Sequence, residues 1–299
     1  PPMKRILSLL SIATSMLLNG GDWPEFRGPT AQGHVIGANL PVEFGPQKNL
    51  KWKVAVPGQG WSSPVIVGKR IYLTSAITKN DKLSLSALCL DSANGRSVWQ
   101  QPVFSVAGKS TRMHRKNSQA SPTPIVADNR VYIHFGHMGT ACLDLKGNMI
   151  WKNETLKYSS VHGNGGTPVL VTGKLIFSCD GSRDPFVVAL DAKRGNEVWR
   201  VNRSGNAKRK FSFSTPLVIG AGAGTRVLLP GSDMIGAYHP DTGKEIWKVT
   251  FDGYSVVPRP VVGHGMVFFS TGFDRAKAMA VLLGGKGDVT DTHGAWALA

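Results

Sequence analysis

The sequence predicts an all-β fold, a β-propeller of four-stranded blades, and three observations carry that prediction. A Trp-terminated phrase returns at near-constant intervals, each interval holds a second phrase led by proline, and the composition suits strands and turns. The first phrase reads LCLDSANGRSVW ending at Trp99, ACLDLKGNMIW at Trp151, ALDAKRGNEVW at Trp199 and AYHPDTGKEIW at Trp247. Trp52 in NLKWKV and Trp296 in THGAW extend the series, with intervals of 47, 52, 48, 48 and 49 residues. The 299 residues include 35 Gly and 18 Pro, whereas a helical bundle would be poor in both. With 41% hydrophobic and 18% charged residues the chain can bury a large core, which excludes a wholly disordered or collagen-like protein.

Within each unit the first pair of strands follows a Ser/Thr/Arg-Pro step. The phrases are SSPVIVGKRIYL from Ser62, PTPIVADNRVYIHF from Pro122, GTPVLVTGKLIF from Gly166, STPLVIG from Ser214 and PRPVVGHGMVFF from Pro258. Gly68-Lys69, Asp128-Asn129, Gly173-Lys174 and Gly263-His264-Gly265 split these runs into hairpins. The Trp phrase supplies two more strands around a tight turn, because Gly accepts φ > 0 and Asp bonds nearby backbone. A helical solenoid of similar period fails on strand chemistry, since the runs are Val, Ile, Leu, Tyr and Phe punctuated by Gly and Pro. Each Trp is expected to pack between neighbouring blades. Five intervals from Trp52 to Trp296 predict about five blades, with the chain ending inside the next, as in a ring truncated at its C-terminus.

Met3-Lys4-Arg5, the apolar run Ile6 to Leu18 and Asn19-Gly20-Gly21 match a secretory signal, with a buried core helix as the alternative. The expected organisation is a signal peptide over 1–20 and a partial propeller over 21–299, in a periplasmic or otherwise exported monomer with no transmembrane segment. Cys89, Cys142 and Cys179 are an odd number and fall in or beside predicted strands, so they are expected to be buried thiols. Lys+Arg 35 against Asp+Glu 19 gives a net charge of +16, which attracts acidic partners. The clusters Arg112, Arg115, Lys116 and Arg203, Lys208, Arg209, Lys210 sit in predicted loops without a nucleic-acid motif, and read as solvated surface.

The ALD…G…W phrase resembles the repeat of pyrroloquinoline-quinone-type (PQQ-like) β-propellers, which include quinoprotein dehydrogenases and the propeller of the outer-membrane protein assembly machinery. DWPEFRGPTAQG, PGQGWSSPVIVGKRIYLTSA and GGKGDVTDTHGAW resemble more closely the exported PQQ-like proteins of planctomycete-type bacteria, over nearly all of residues 22–299. The resemblance implies about eight blades in a complete ring. It also implies, for dehydrogenase members, a disulfide between adjacent cysteines, a calcium held by acidic and amide side chains, and a catalytic Asp. No adjacent cysteine pair exists here, so PQQ with calcium is not the expected cofactor state. Asp180 in CDGSRDP could serve as base or calcium ligand, against the plainer reading of an Asp-Gly turn.

In a propeller, loops leading into the innermost strands share a face with loops that follow the second strands. That phase gathers Trp61, His114, Asn117, His162, Asn164, the Phe211-Ser212-Phe213 run and Arg259 with His137, Asp180, Arg183, Asp233, Asp274 and Arg275 into one funnel. Aromatic rings and guanidinium forks there would suit an anionic or sugar-like ligand; the alternative reading is that the polar groups satisfy backbone at blade junctions. His134 and His137 lie three apart on a predicted strand and face opposite ways, so no metal is expected at either. GAGAGT at 220–225 lacks a phosphate-loop Lys and reads as a hairpin tip. Asn153-Glu-Thr and Asn202-Arg-Ser fit a glycosylation pattern incidentally, and a Ser-His-Asp site assembled across blades stays open. The leading expectation is a non-catalytic exported scaffold for an envelope protein or anionic polymer. The alternative is a quinone-dependent dehydrogenase or carbohydrate-active enzyme using the funnel.

Overall fold

The computed structural model describes residues 21–35, 40–107, 113–274 and 276–298. The expected signal peptide, Arg112 and Arg275 lie outside them. The described residues form five sheets, each built on four antiparallel strands in chain order. Blade one comprises β1 Val65–Val67, β2 Arg70–Lys79, β3 Lys82–Asp91 and β4 Ser97–Ala107. Blade two comprises β5 Ile125–Ala127, β6 Arg130–His134, β7 Thr140–Asp144 and β8 Met149–Asn153. Blade three comprises β9 Val169–Val171, β10 Lys174–Cys179, β11 Phe186–Asp191 and β12 Glu197–Asn202. Blade four comprises β13 Leu217–Ile219, β14 Arg226–Pro230, β15 Met234–Tyr238 and β16 Glu245–Thr250. Blade five comprises β17 Val261–Gly263, β18 Met266–Ser270, β19 Ala278–Leu282 and β21 Gly294–Leu298.

The core lies between blades rather than within one. Alternate residues of a strand point to opposite faces, and in β11 they feed two different clusters. Phe186, Val188 and Leu190 pack with Trp151 and Tyr132 of blade two, while Val187 and Ala189 pack with Val227, Leu229 and Tyr238 of blade four. A sheet covered on both faces explains why Phe186 to Leu190 is a continuous apolar run instead of an alternating one.

Two hydrogen-bonded belts join the blades. On the inner side, the Pro-step residues bond in series: the Ser63 N–H donates to Thr123 Oγ1 (3.0 Å), Thr123 N–H to Thr167 Oγ1 (2.9 Å) and Thr167 N–H to Thr215 Oγ1 (3.0 Å). The following Pro holds each of these residues extended, and the N–H finds its acceptor on the next blade. On the outer side, the indole Nε1 of Trp99, Trp151 and Trp199 donates to the carbonyls of Leu145, Ala192 and Pro240 in the next blade's outer turn, each at 3.0 Å. The indole lies flat on that turn's glycine. At Gly195, whose φ is +77°, an added Cβ would stand 2.3 Å from the Trp151 ring.

Trp52 docks in the same way on blade one, through Ser92 O at 3.1 Å and against Gly95, from a segment that belongs to none of the five sheets. Trp247 is covered differently. The connection from β19 to β21 is longer than the other outer turns, and it lays a short strand, β20 (Gly287–Asp288), parallel to β16 opposite Trp247 and Lys248. Blade four therefore has five strands rather than the expected four, and Val289 completes the packing around Trp247. Trp296 packs on Phe268 with ring centroids 6.0 Å apart and stays 42% exposed, so it does not lie between two described blades.

Every indole of the five sheets faces a small residue across the ladder: Trp99 opposite Cys89, Trp151 opposite Cys142, and Trp199, Trp247 and Trp296 opposite Ala189, Ala237 and Ala280. A bulge follows each pair. In blades one and two the small residue leaves room for Tyr72 and Tyr132 on the neighbouring strand to reach the indole, at 6.1 and 6.3 Å. Two of the three cysteines thus occupy the alanine position of the repeat, and all three are buried thiols.

A feature the sequence did not announce is a strap, residues 22–32, along the innermost strands. Asp22 Oδ1 accepts from Gly68 N–H (2.7 Å), Trp23 bridges to Ile66, Pro24 O accepts from Val126 N–H (2.8 Å) and Gln32 Oε1 from Val262 N–H (2.9 Å). The strap therefore touches blades one, two and five. No helix among the described residues is long and apolar enough to cross a membrane.

Two outcomes follow for chemical denaturation. Thr167→Val keeps the shape but strands the buried Thr123 N–H, and should cost roughly 1–3 kcal/mol, while Thr167→Ser should restore most of the loss. Cys142→Ala should cost about 1 kcal/mol or less because alanine fills this position in three blades, whereas Cys142→Leu should overpack against Trp151 by about 1–3 kcal/mol.

Candidate functional site: a ring-lined cleft on the loop face

The loops that lead into the innermost strands are tied through backbone in pairs, blade two to three and blade four to five, and the loop after β18 joins the second pair. His114 N–H donates to His162 O (3.2 Å), Phe213 N–H to Val256 O (2.7 Å), Ser255 N–H to Phe211 O (3.1 Å) and Phe273 N–H to Tyr254 O (2.8 Å). Asn117 reinforces the first junction, its Nδ2 donating to His162 O (3.0 Å) and Asn164 O (3.2 Å). Between these loops lies a cleft of about 600 Å³, within the range of small-molecule and peptide pockets.

Its wall is a row of rings meeting edge to face. His114 to His162 is 5.4 Å, His162 to Phe211 5.3 Å, Phe211 to Tyr254 5.7 Å and Tyr254 to Phe273 6.0 Å between centroids. Arg115, Lys116 and Arg209 supply cations, and among the described residues no carboxylate lines the cleft. The Arg209 guanidinium sits over the Tyr254 ring at 4.7 Å and bonds its hydroxyl oxygen, while that hydroxyl donates to Asp274 Oδ2 (2.7 Å). The Asp274 bond is the main reason that the Tyr254 phenol titrates above its ordinary range.

Of the residues assigned to the funnel, the structure brings His114, Asn117, His162, Phe211 and Phe213 together at this cleft. Asn164 and Asp180 lie beneath it around a second cavity of about 20 Å³, too small for a cofactor. Asn164 is buried there, accepting from the Tyr158 hydroxyl (3.0 Å) and donating to Phe135 O (3.0 Å). Asp180 accepts both Nε and Nη2 of Arg203 at 2.8 Å and Ser212 Oγ at 2.5 Å, so its two oxygens are already engaged. The remaining Arg203 donors reach Leu229 O and Pro230 O in blade four, which makes this buried pair a clamp between blades three and four. Arg203, read from sequence as part of a solvated cluster, is 9% exposed.

Arg259 lies away from the cleft, 4% exposed. It replaces threonine at the last step of the inner belt, its Nε donating to Pro216 O (2.8 Å) and Nη1 to Phe26 O of the strap (2.7 Å). Burial lowers its pKa to about 10 and raises that of Glu25 beside it. Arg183 is exposed on the turn before β11, and Trp61, 66% exposed, donates its backbone N–H to Ala120 O; neither lines the cleft. His137 lies half-buried against Tyr158, with ring centroids 5.9 Å apart. Arg209, Tyr254 and Phe273 are cleft residues that the sequence reading missed. Tyr254 had a signal: it stands five residues before its Pro-step residue Arg259, as His162 does before Thr167.

His134, part of the His-Phe-Gly-His motif, is a core residue. Its Nδ1 pairs with Thr140 Oγ1 at 2.8 Å and its ring packs on Phe177 at 4.4 Å. Burial lowers its pKa to about 3. Among the described residues no three His, Cys, Asp or Glu side chains gather as a metal site.

Repeated four-stranded blades, indole and Pro-step belts, and a ligand-sized cleft on one loop face define the class: a propeller built from PQQ-like repeats. The family model described as outer membrane protein assembly factor BamB matches residues 49–182 and 183–290, and the chain belongs to this family. BamB from Moraxella catarrhalis is similar in structure with a TM-score of 0.53 at 14% identity, covering 83% of this chain and 64% of that one. This chain thus spans less than two thirds of that relative's length, and the likeness shows the fold. A quinohemoprotein alcohol dehydrogenase from Comamonas testosteroni has a TM-score of 0.47 at 10% identity, covering 93% of this chain and 67% of that one. A europium-containing methanol dehydrogenase has a TM-score of 0.44 at 18% identity, covering 73% and 48%. No curated protein matches the chain.

A buried imidazole held below its ordinary pKa makes folding pH-dependent. Below about pH 6.5 the unfolded chain protonates His134 and the native chain does not, so stability is complete above that pH and declines as pH falls towards 3. The slope from this group is up to about 1.4 kcal/mol per pH unit. Urea melts from pH 7 to pH 4.5 should show it, and His134→Gln should flatten it.

Proposed function

We propose that this protein is an exported, non-catalytic propeller that acts as a binding scaffold for an envelope protein or polymer. Family membership supports a binding role, and the signal-like N-terminal sequence supports export. The observation that carries the reading is the chemistry of the cleft: rings and cations without a carboxylate, above an Asp180 whose oxygens are engaged by Arg203 and Ser212. General acid–base catalysis needs a proton-transfer group held by a partner within reach of the reacting atom. The cleft's imidazoles, His114 and His162, share it with no lining carboxylate among the described residues, and Asp180, the acid beneath it, is clamped by Arg203 and Ser212.

The same residues argue against calcium-held PQQ. A calcium site needs several free oxygen ligands. The cleft offers the Asn117 amide, whose oxygen accepts from Ser118 N–H (2.9 Å) and Ser121 Oγ (2.5 Å). Cys89, Cys142 and Cys179 are buried in separate strands and far apart in sequence, so no adjacent pair faces a quinone.

A thermal-shift titration with PQQ and calcium, run beside a dye-linked assay over alcohols and sugars, tests this reading. The expected result is an unchanged Tm and no dye reduction. A Tm raised by several degrees, the mark of a ligand that binds only the native state, together with dye reduction, would overturn it.

A further inference from the structure

We propose that the ring-lined cleft docks an extended, acidic polypeptide segment that alternates carboxylates with aromatic or large apolar side chains. The proposal rests on the scaffold reading and specifies its partner.

Charge complementarity sets the sign. Arg115, Lys116 and Arg209 line the cleft, and among the described residues no acidic side chain does. The groove beyond Arg209 and Tyr254 is of mixed charge, with Lys208 and Lys248 beside Asp233, Asp252 and Asp274, so the acidic segment is placed in the cleft itself. Apolar exposure sets the second requirement: Phe273 is 65% and Val257 59% exposed at the rim. Apolar surface beside cations favours a partner that brings both chemistries in one segment. Spacing sets the third. The rings repeat every 5.3–6.0 Å, close to the roughly 6.6 Å between alternate side chains of an extended chain.

The other anionic polymers fit less well. A glycan's hydroxyls both donate and accept; the cleft's cations can only donate to them, no carboxylate among the described residues lines it to accept, and the Asn117 amide is occupied on both its nitrogen and its oxygen. Single-strand binding stacks successive nucleobases on open ring faces, but His114, His162, Phe211 and Tyr254 close on one another at interplanar angles of 81°, 89° and 81°, Arg209 covers Tyr254, and the exposed Phe273 offers a single ring rather than a series.

Fluorescence anisotropy with the whole chain tests this. The probes are labelled peptides alternating Asp with Phe, Lys with Phe, and Asp with Ser; a uronic-acid oligomer and an oligo-dT strand serve as competitors. The Asp/Phe peptide should bind at least tenfold more tightly than either other peptide and weaken as salt rises. Arg209→Glu and Phe273→Ser, both at exposed positions and checked by unchanged melting curves, should each weaken it about tenfold, and Arg209→Glu should improve the Lys/Phe peptide. Equal binding of the Asp/Phe and Lys/Phe peptides, indifference to both variants, or tighter binding of either competitor would overturn the assignment. Cross-linking in envelope extract separates the two levels. A partner retained by both variants leaves the scaffold reading standing and removes the cleft from it, whereas PQQ binding with turnover removes the scaffold reading itself.

Discussion

The constraint on which the structure depends is that no blade can satisfy itself. Each four-stranded sheet has two apolar faces, and its innermost strand has an edge without a strand partner. The apolar faces are covered only by neighbouring blades, as β11 shows by sending alternate side chains into two clusters. The inner belt answers the polar half of the problem: the Pro-step N–H groups of blades one, two and three are accepted by the threonine hydroxyl of the following blade. A buried N–H without an acceptor costs about 1–3 kcal/mol, so this short series of hydroxyls fixes blade spacing as firmly as the larger indole contacts outside it.

That spacing positions the cleft. The loops carrying His114, His162, Phe211 and Tyr254 emerge next to strands already tied by the belt, and backbone bonds between loops then hold the rings in a row. The Asp180–Arg203 clamp works just beneath, linking blades three and four with a buried charge pair whose remaining guanidinium donors are met by carbonyls. Removing one partner of such a pair would leave an uncompensated buried charge, which is strongly destabilising. The charges at the cleft surface and the charges under it therefore have different roles. The exposed ones remain available to a ligand, and the buried ones hold the walls.

Several residues that the sequence assigned to a ligand funnel have their side chains engaged within the protein. Arg259 and Asp180 do occupy the loops from which a funnel is built, but their side chains turn to carbonyls, a partner charge and the strap. A polar side chain in a loop gives no sign of whether its acceptor is a ligand or the backbone of another blade. Cys89 and Cys142 show the reverse. Their place in the repeat, opposite a tryptophan where other blades carry alanine, could have been read from an alignment of the units, and it explains small buried thiols without redox chemistry.

The sequence by itself determined the propeller class, the position of each blade and the tryptophans that join them, because these depend on short-range patterning repeated at a fixed interval. It also marked the Pro-step residues, His114, Asn117 and His162 through their phase in that repeat. Only the tertiary structure decided that the step threonines form a hydrogen-bonded series, that the N-terminal strap reaches blade five, that β20 joins blade four, and that Tyr254 and Phe273 extend the ring row. Those features bring together residues from different repeats, up to more than two hundred positions apart for Phe26 and Arg259, and no local pattern encodes such a meeting. It follows from the angle and spacing at which whole blades pack.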